Sequence, residues 1–317
     1  MIDQRDRYRG SLLGLAVGDA LGTTVEFKMP GSFKPVETIV GGGLFGLKPG
    51  EWTDDTSMAL CLAASLVECN GFDPVDQMNR YCSWKNLGYM SSNGTCFDIG
   101  STVNAALGRY EVSGDPFSGS TTPNSAGNGS LMRLSSVPLF YAANPRSAVH
   151  YAIESSRTTH GAAEAVSACA YMSGLIVGAL QGKTKEELTG GVFSPAAGIW
   201  DEFPLSGRVR DIAAGSFKCD RPELSGSGGY VIPSLEVALW AFHHTDNFRE
   251  GALRAVNVGY DADTYGAIYG QLAGAYYGET GIPEDWRNVI ALRDTIEVLS
   301  ESLLKGSGER DKERANG

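Results

Sequence analysis

Two acidic clusters far apart in the chain each open a run of small and apolar residues, and this pairing constrains the fold more than any other feature. Thr53-Asp54-Asp55-Thr56 leads into 57–64 (SMALCLAA), and Asp261-Ala262-Asp263-Thr264 leads, after Tyr265, into 266–275 (GAIYGQLAGA). Small residues let helices approach closely, so both runs are expected as core helices whose first turns carry carboxylates. One account of those carboxylates is capping: Thr53 and Asp263 would accept backbone N–H bonds, and acidic groups complement the positive end of the helix dipole. Capping needs only one such group, however, and neighbouring carboxylates repel. A divalent cation such as Mg²⁺ or Mn²⁺, which prefers hard oxygen ligands, would compensate them. Local sequence leaves the two accounts open.

The rest of the chain reads as helical too. Asp73-Pro74 and Asn144-Pro145 each place a capping residue before a proline at the first helical position. Hydrophobic spacing is helical rather than alternating over 7–21, 53–69, 98–110, 145–157, 161–181, 233–244, 247–258, 263–277 and 289–304. No strands separated by crossover helices can be traced. The glycines of 40–46 (VGGGLFG) do not reproduce the GxGxxG spacing of a dinucleotide-binding turn. An all-α fold in a single domain is expected, with longer loops near 113–129, 190–206 and 218–232 laid over the helical body, where binding residues are often displayed.

At 317 residues the chain can bury a substantial core without disulfides. Its 37 acidic against 26 basic groups give a net charge of −11, which disfavours nonspecific adhesion to nucleic acid. Net charge constrains the surface and not the pocket, because helix starts and backbone N–H groups can still hold an anion. The 6 cysteines form no CxxC pair, which points to reduced thiols and a cytoplasmic protein and away from a thiolate zinc site. The apolar stretch 12–17 is too short to span a bilayer, and no membrane association is expected. A domain over 1–304 followed by a solvated, flexible tail over 305–317 completes the expected organisation.

Taken in order, the segments 14–22 (GLAVGDALG), Val25-Glu26-Phe27, 52–56 (WTDDT), 97–100 (FDIG), 127–133 (GNGSLMR), 156–160 (SRTTH) and Asp261-Ala262-Asp263-Thr264 resemble the ADP-ribosylglycohydrolase family across most of the chain. The resemblance implies a compact all-helical fold holding two divalent cations, Mg²⁺ or Mn²⁺, on Thr53, Asp54, Asp55, Asp261, Asp263 and Thr264. It implies catalytic roles for Glu26 and Asp98, which local sequence alone would read as a surface carboxylate and as a helix cap for 99–110. An ADP-ribose cradle is implied at Ser125, Gly127, Asn128, Gly129, Ser130 and Met132, where the isolated reading is a flexible turn with Asn128 or Ser130 as a cap. His160 is implied in contact with phosphate or ribose. Tyr230, which follows 225–229 (SGSGG), is implied in contact with the ligand.

Phe45 and Trp52 are candidates for the rim, and Tyr265 stands where the family commonly carries a smaller residue or asparagine, which bears on pocket shape. His243-His244 lacks zinc-site spacing and is read as packing.

The implied activity is metal-dependent hydrolysis of the glycosidic bond between ADP-ribose and a target. By analogy with bacterial relatives, that target is an ADP-ribosylated arginine on a protein. Serine-linked ADP-ribose, O-acetyl-ADP-ribose and an ADP-ribosylated nucleobase stay open as substrates. A noncatalytic ADP-ribose-binding protein and a general dimetal phosphohydrolase are the alternatives of different class.

Overall fold

The structure, a computed structural model, describes residues 2–224 and 228–315. Its helices are α1 (Gln4–Gly22), α2 (Asp54–Glu68), α3 (Pro74–Leu87), α4 (Ser101–Ser113), α5 (Ser136–Phe140), α6 (Pro145–Arg157), α7 (Ala163–Leu180) and α8 (Lys185–Thr189). They continue as α9 (Ile199–Glu202), α10 (Gly207–Ala214), α11 (Val231–His243), α12 (Phe248–Val256), α13 (Ala262–Tyr277), α14 (Glu284–Arg287) and α15 (Arg293–Ala315). Among the described residues there are isolated β-bridges but no strand. The all-α expectation is met.

Several starts follow from local chemistry. Asp3 accepts the Asp6 N–H at 2.7 Å, Asp73 accepts those of Val75 and Asp76 ahead of Pro74, and Thr184 and Glu187 form a reciprocal capping box. Asn144 stands at the cap position of α6, but its side chain turns to Ser147 and leaves the backbone uncapped.

The organising contact is between α1 and α13, which run antiparallel along facing glycines. A Cβ on Gly274 would stand 1.8 Å from the Gly10 carbonyl oxygen, one on Gly270 1.9 Å from that of Gly14, and one on Gly18 1.9 Å from that of Gly266. Backbones this close exclude every side chain but hydrogen at the seam. Because Gly18 sits over Gly266, the last turn of α1 meets the first turn of α13, and Asp19 is delivered beside Asp263. Glycine every fourth residue, at 10, 14, 18 and 22 and again at 266, 270 and 274, is the sequence signal for this pairing.

Fully buried Trp52, Trp84, Trp286, Tyr265 and Tyr269 belong to the same hydrophobic core as this pair. Trp52 is therefore core and not rim; its indole donates to the Ala291 carbonyl at 3.2 Å. Tyr265 is likewise enclosed and does not shape the cavity described below. α7 is long and apolar enough to cross a membrane by length and composition, but 83% of that stretch is buried inside the protein, as befits a core helix. His243 and His244 bond Thr189 and the Trp240 carbonyl, in keeping with packing.

Two boundaries differ from expectation. α4 starts at Ser101 behind Gly100, and Asp98 lies outside it at φ 58°, so Asp98 does not cap that helix. α15 continues to Ala315, well past residue 304.

Candidate active site

Thr53, Asp54, Asp55 and Thr56 sit at the start of α2 and Asp261, Asp263 and Thr264 at the start of α13, and the two clusters meet. Thr53 Oγ1 lies 3.2 Å from Asp55 and 3.2 Å from Asp263, and Thr264 Oγ1 donates to Asp55 at 3.2 Å. Neither predicted cap exists: the Thr53 side chain makes no capping bond, and Asp263 lies inside the first turn of α13. Capping of α2 comes from Asp19 on α1. Its carboxylate accepts the Thr53 N–H at 2.9 Å and the Thr56 N–H at 3.1 Å, and both hydroxyls besides, at 3.0 and 2.6 Å. Asp19 was part of the GLAVGDALG segment without an assigned role; an acidic residue inside an apolar helical run was the signal.

Carboxylate oxygens of Asp19, Asp55 and Asp263 fall within 4.8 Å of one another, and so do those of Glu26, Asp98 and Asp263. Asp263 belongs to both groups. Such crowding is unfavourable for charged oxygens. Burial, and then the neighbouring Asp263, pushes Glu26 up to about 12. Burial, followed by Asp19 and Asp261, raises Asp98 to about 7, and burial lifts Asp19 to about 6. Asp54, Asp55 and Asp263 are raised too, by burial first and then by a neighbouring carboxylate, Asp98 for Asp54, Asp263 for Asp55 and Asp261 for Asp263.

Among the described residues, the buried oxygens Glu26 Oε2 and Asp263 Oδ1 have no hydrogen-bond partner. Buried acceptors left unpaired are costly. An all-oxygen donor set with orphaned acceptors fits a hard divalent cation, and it fits thiophilic metals poorly.

Above this floor opens a cavity of about 960 Å³, lined by Glu26, Asp54, Asp98, Asp261, Asp263 and Thr264 and also by the 126–129 turn, Met132, His160 and Tyr230. The turn is tied to the acidic floor, since Asn128 Nδ2 donates to Asp261 at 2.5 Å and to Ser234 at 2.8 Å, while the Asn128 N–H bonds the Gly229 carbonyl. Asn128 is thus a strut and not a helix cap.

Two expected ligand residues are placed otherwise. The Ser130 hydroxyl turns inward to Ser156 at 2.8 Å, and Ser125 bonds the Ser120 and Thr122 carbonyls, so neither side chain lines the cavity. Thr53 and Asp55 lie beneath its surface. Tyr230 lines the wall with its hydroxyl donating to Glu164, whose role sequence reasoning did not anticipate. Phe45 packs against Phe97 with the rings tilted and their centroids 5.2 Å apart, and it does not line the cavity. Ser225, Gly226 and Ser227 of the loop before Tyr230 lie outside the described residues.

Residues 1–313 match the family model described as ADP-ribosylglycohydrolase. The chain belongs to the ADP-ribosylglycohydrolase family. It is 39% identical over 306 residues to a protein of Serratia proteamaculans (strain 568) named ADP-ribosylarginine hydrolase Tri1, covering 96% of this chain and 81% of that one. A Pseudomonas putida (strain GB-1) protein of the same name is 40% identical, with 97% and 80% covered. An ADP-ribosyl-[dinitrogen reductase] glycohydrolase of Rhodospirillum rubrum is 32% identical over 92% of this chain and 93% of its own.

A solved structure described as an ADP-ribosylglycohydrolase-related protein complex superposes with a TM-score of 0.83 at 42% identity, covering 97% of this chain and 100% of that one. This ADP-ribosylglycohydrolase is a hydrolase of glycosidic bonds.

Proposed function

We propose that the protein hydrolyses the bond between ADP-ribose and an arginine guanidinium on an ADP-ribosylated protein, with divalent cations, Mg²⁺ or Mn²⁺, as cofactors. The observation that carries this is one cavity lined both by a dense carboxylate floor and by a turn of small residues beside a histidine. A sugar conjugate with an anionic tail matches that lining. The relatives named for ADP-ribosylarginine support arginine as the leaving group.

Thr53, Asp54, Asp55, Asp261, Asp263 and Thr264 would hold two cations, which supply charge stabilisation at the ribose and lower the pKa of bound water. Asp19 fixes Thr53 and Thr56 from behind. Asp98, hydrogen-bonded to Glu26, is placed to accept the proton of water as its oxygen joins the anomeric carbon. The carbon–nitrogen bond breaks and the departing guanidine takes up a proton. Glu26, with a carboxylate oxygen within 4.8 Å of those of Asp98 and Asp263, orients Asp98 through that hydrogen bond.

The 127–129 backbone and His160 bind the diphosphate, with Met132 and Tyr230 flanking it. All of these residues lie within 1–304, and 305–317 take no part in the reaction. Six free cysteines accord with a cytoplasmic setting.

The test is release of intact ADP-ribose, resolved by mass, from arginine-, serine-, acetyl- and nucleobase-linked substrates, with Mg²⁺ or Mn²⁺ and with EDTA. Arginine-linked substrate should be cleaved fastest and only with cation. Full activity in Asp54→Ala and Asp263→Ala would remove the assigned site, and phosphate release in place of ADP-ribose would assign a phosphohydrolase.

A further inference from the structure

Arg133 is wholly buried, and among the described residues no carboxylate pairs with it. A buried cation is expensive unless its donors are satisfied. Its guanidinium lies over the Tyr81 ring at 4.6 Å, with Nη1 donating to the Gly129 carbonyl at 3.1 Å and Nη2 to the Thr159 hydroxyl at 2.7 Å. The same Thr159 oxygen is 2.8 Å from His160 Nδ1.

Arginine can only donate, so Thr159 accepts from it. Among the described residues no other group accepts the Thr159 proton, and the residue is fully buried. All three groups are satisfied together only if Thr159 donates to His160 Nδ1. That leaves the imidazole proton on Nε2. Burial, and after it the positive charge of Arg133, works against a second proton, and His160 is held down to about 3.

Nε2 itself faces the cradle. A Cβ on Gly127 would meet it at 3.1 Å and one on Gly129 at 3.2 Å, and His160 lines the cavity.

We infer that Arg133 is a positioning residue which, through the Thr159 hydroxyl, holds His160 as the neutral Nε2–H tautomer and aims that N–H at an anionic phosphate oxygen of the ligand. This rests on the reading of the 127–129 turn and His160 as a diphosphate site. Arg133 polarises the chain of hydrogen bonds, so the imidazole N–H is a stronger donor than an isolated one. Its bond to the Gly129 carbonyl fixes the turn against the same ring. The ligand therefore meets a directional neutral donor, with the positive charge kept one residue behind it.

The test uses the full chain labelled with ¹⁵N-histidine, its ring signals assigned by their loss in His160→Gln. Two-bond ¹H–¹⁵N correlations of the wild type should show His160 protonated at Nε2 alone at neutral pH. Thr159→Val should yield mixed tautomers and bind ADP-ribose roughly five- to tenfold more weakly by calorimetry, the loss of about one hydrogen bond. Thr159→Ser should restore both, which a purely packing role for Thr159 would not. Folded Arg133→Lys should mix the tautomers as Thr159→Val does.

A wild-type signal protonated at Nδ1, or at both nitrogens, would overturn the inference. So would a Thr159→Val protein with unchanged tautomer and affinity. Because the spectrum is read without ligand, failure of ADP-ribose to bind the wild type would count against the diphosphate reading alone.

Discussion

Gly18→Ala and Gly274→Ala should cost the same stability and very different activity. Each methyl would enter the α1–α13 seam, at 1.9 Å from the Gly266 oxygen in one case and 1.8 Å from the Gly10 oxygen in the other. Real Cβ atoms essentially never come closer than 3.0 Å to such a neighbour, so the helices must part by more than 1 Å at either site. Overpacking of this kind costs about 3 kcal/mol, and the better helix propensity of alanine returns about 1, leaving roughly 2 kcal/mol for both variants. For a chain of this size that is a fall of about 3 °C in Tm.

The positions differ in what they move. Gly18 adjoins Asp19 and faces Gly266, one turn from Asp263, whereas Gly274 lies eleven residues along α13 from Asp263, about 16 Å away. A 1 Å displacement at a reacting centre can cost about 100-fold in rate. Gly18→Ala should therefore lose about 100-fold in kcat/KM and Gly274→Ala less than about fivefold. The assay is calorimetric Tm alongside ADP-ribose release at a temperature where both variants are folded. Equal activity losses would refute the idea that the seam sets the spacing of the acidic floor.

Cation removal should make stability fall as pH rises. Asp98 and Asp19 have folded pKa values of about 7 and 6, above the usual 3.8, so the folded state binds protons more tightly than the unfolded one. That contribution is full below pH ~4 and is lost progressively by pH ~7. In EDTA, Tm should drop between pH 5 and pH 8, and saturating Mn²⁺ should flatten the slope and raise Tm at pH 8; a Tm that climbs over that range in EDTA would reverse the sign.

Asp19→Asn keeps the size but loses a charge and two of four acceptor contacts, so Mn²⁺ affinity measured by calorimetry should weaken by about 10- to 100-fold, in line with other residues that orient ligands from behind. Tyr230→Ala should raise KM by about tenfold with kcat within twofold, while Tyr230→Phe, which keeps the ring, should change KM less than about threefold. Steady-state kinetics on the arginine-linked substrate separates the two.

Much of the site could be read from residue order because short motifs bring their own chemistry: WTDDT and DADT each name their oxygens. What spacing alone could not supply was which side chains turn inward. Ser125 and Ser130 look as available as Gly127 and Gly129 in the sequence, yet their hydroxyls are spent on Ser120, Thr122 and Ser156. Asp98 looks like a helix cap until the backbone is seen at φ 58°, which turns the carboxylate away from α4 and towards Glu26. Thr53 and Asp263 fit capping rules locally; the rule fails for Thr53 because Asp19, from another helix, takes the α2 backbone donors, and for Asp263 because α13 has already begun at Ala262.

That substitution explains how the floor can be so acidic and still be placed by the fold. A helix start normally consumes its acidic side chain in satisfying its own N–H groups. Here a distant carboxylate caps α2 at Thr53 and Thr56, leaving Asp54 and Asp55 free of that duty. The glycine seam delivers the distant carboxylate to within reach. The small residues and the acidic clusters are thus one device, in which close backbone approach releases oxygens that a looser helical packing would have kept occupied.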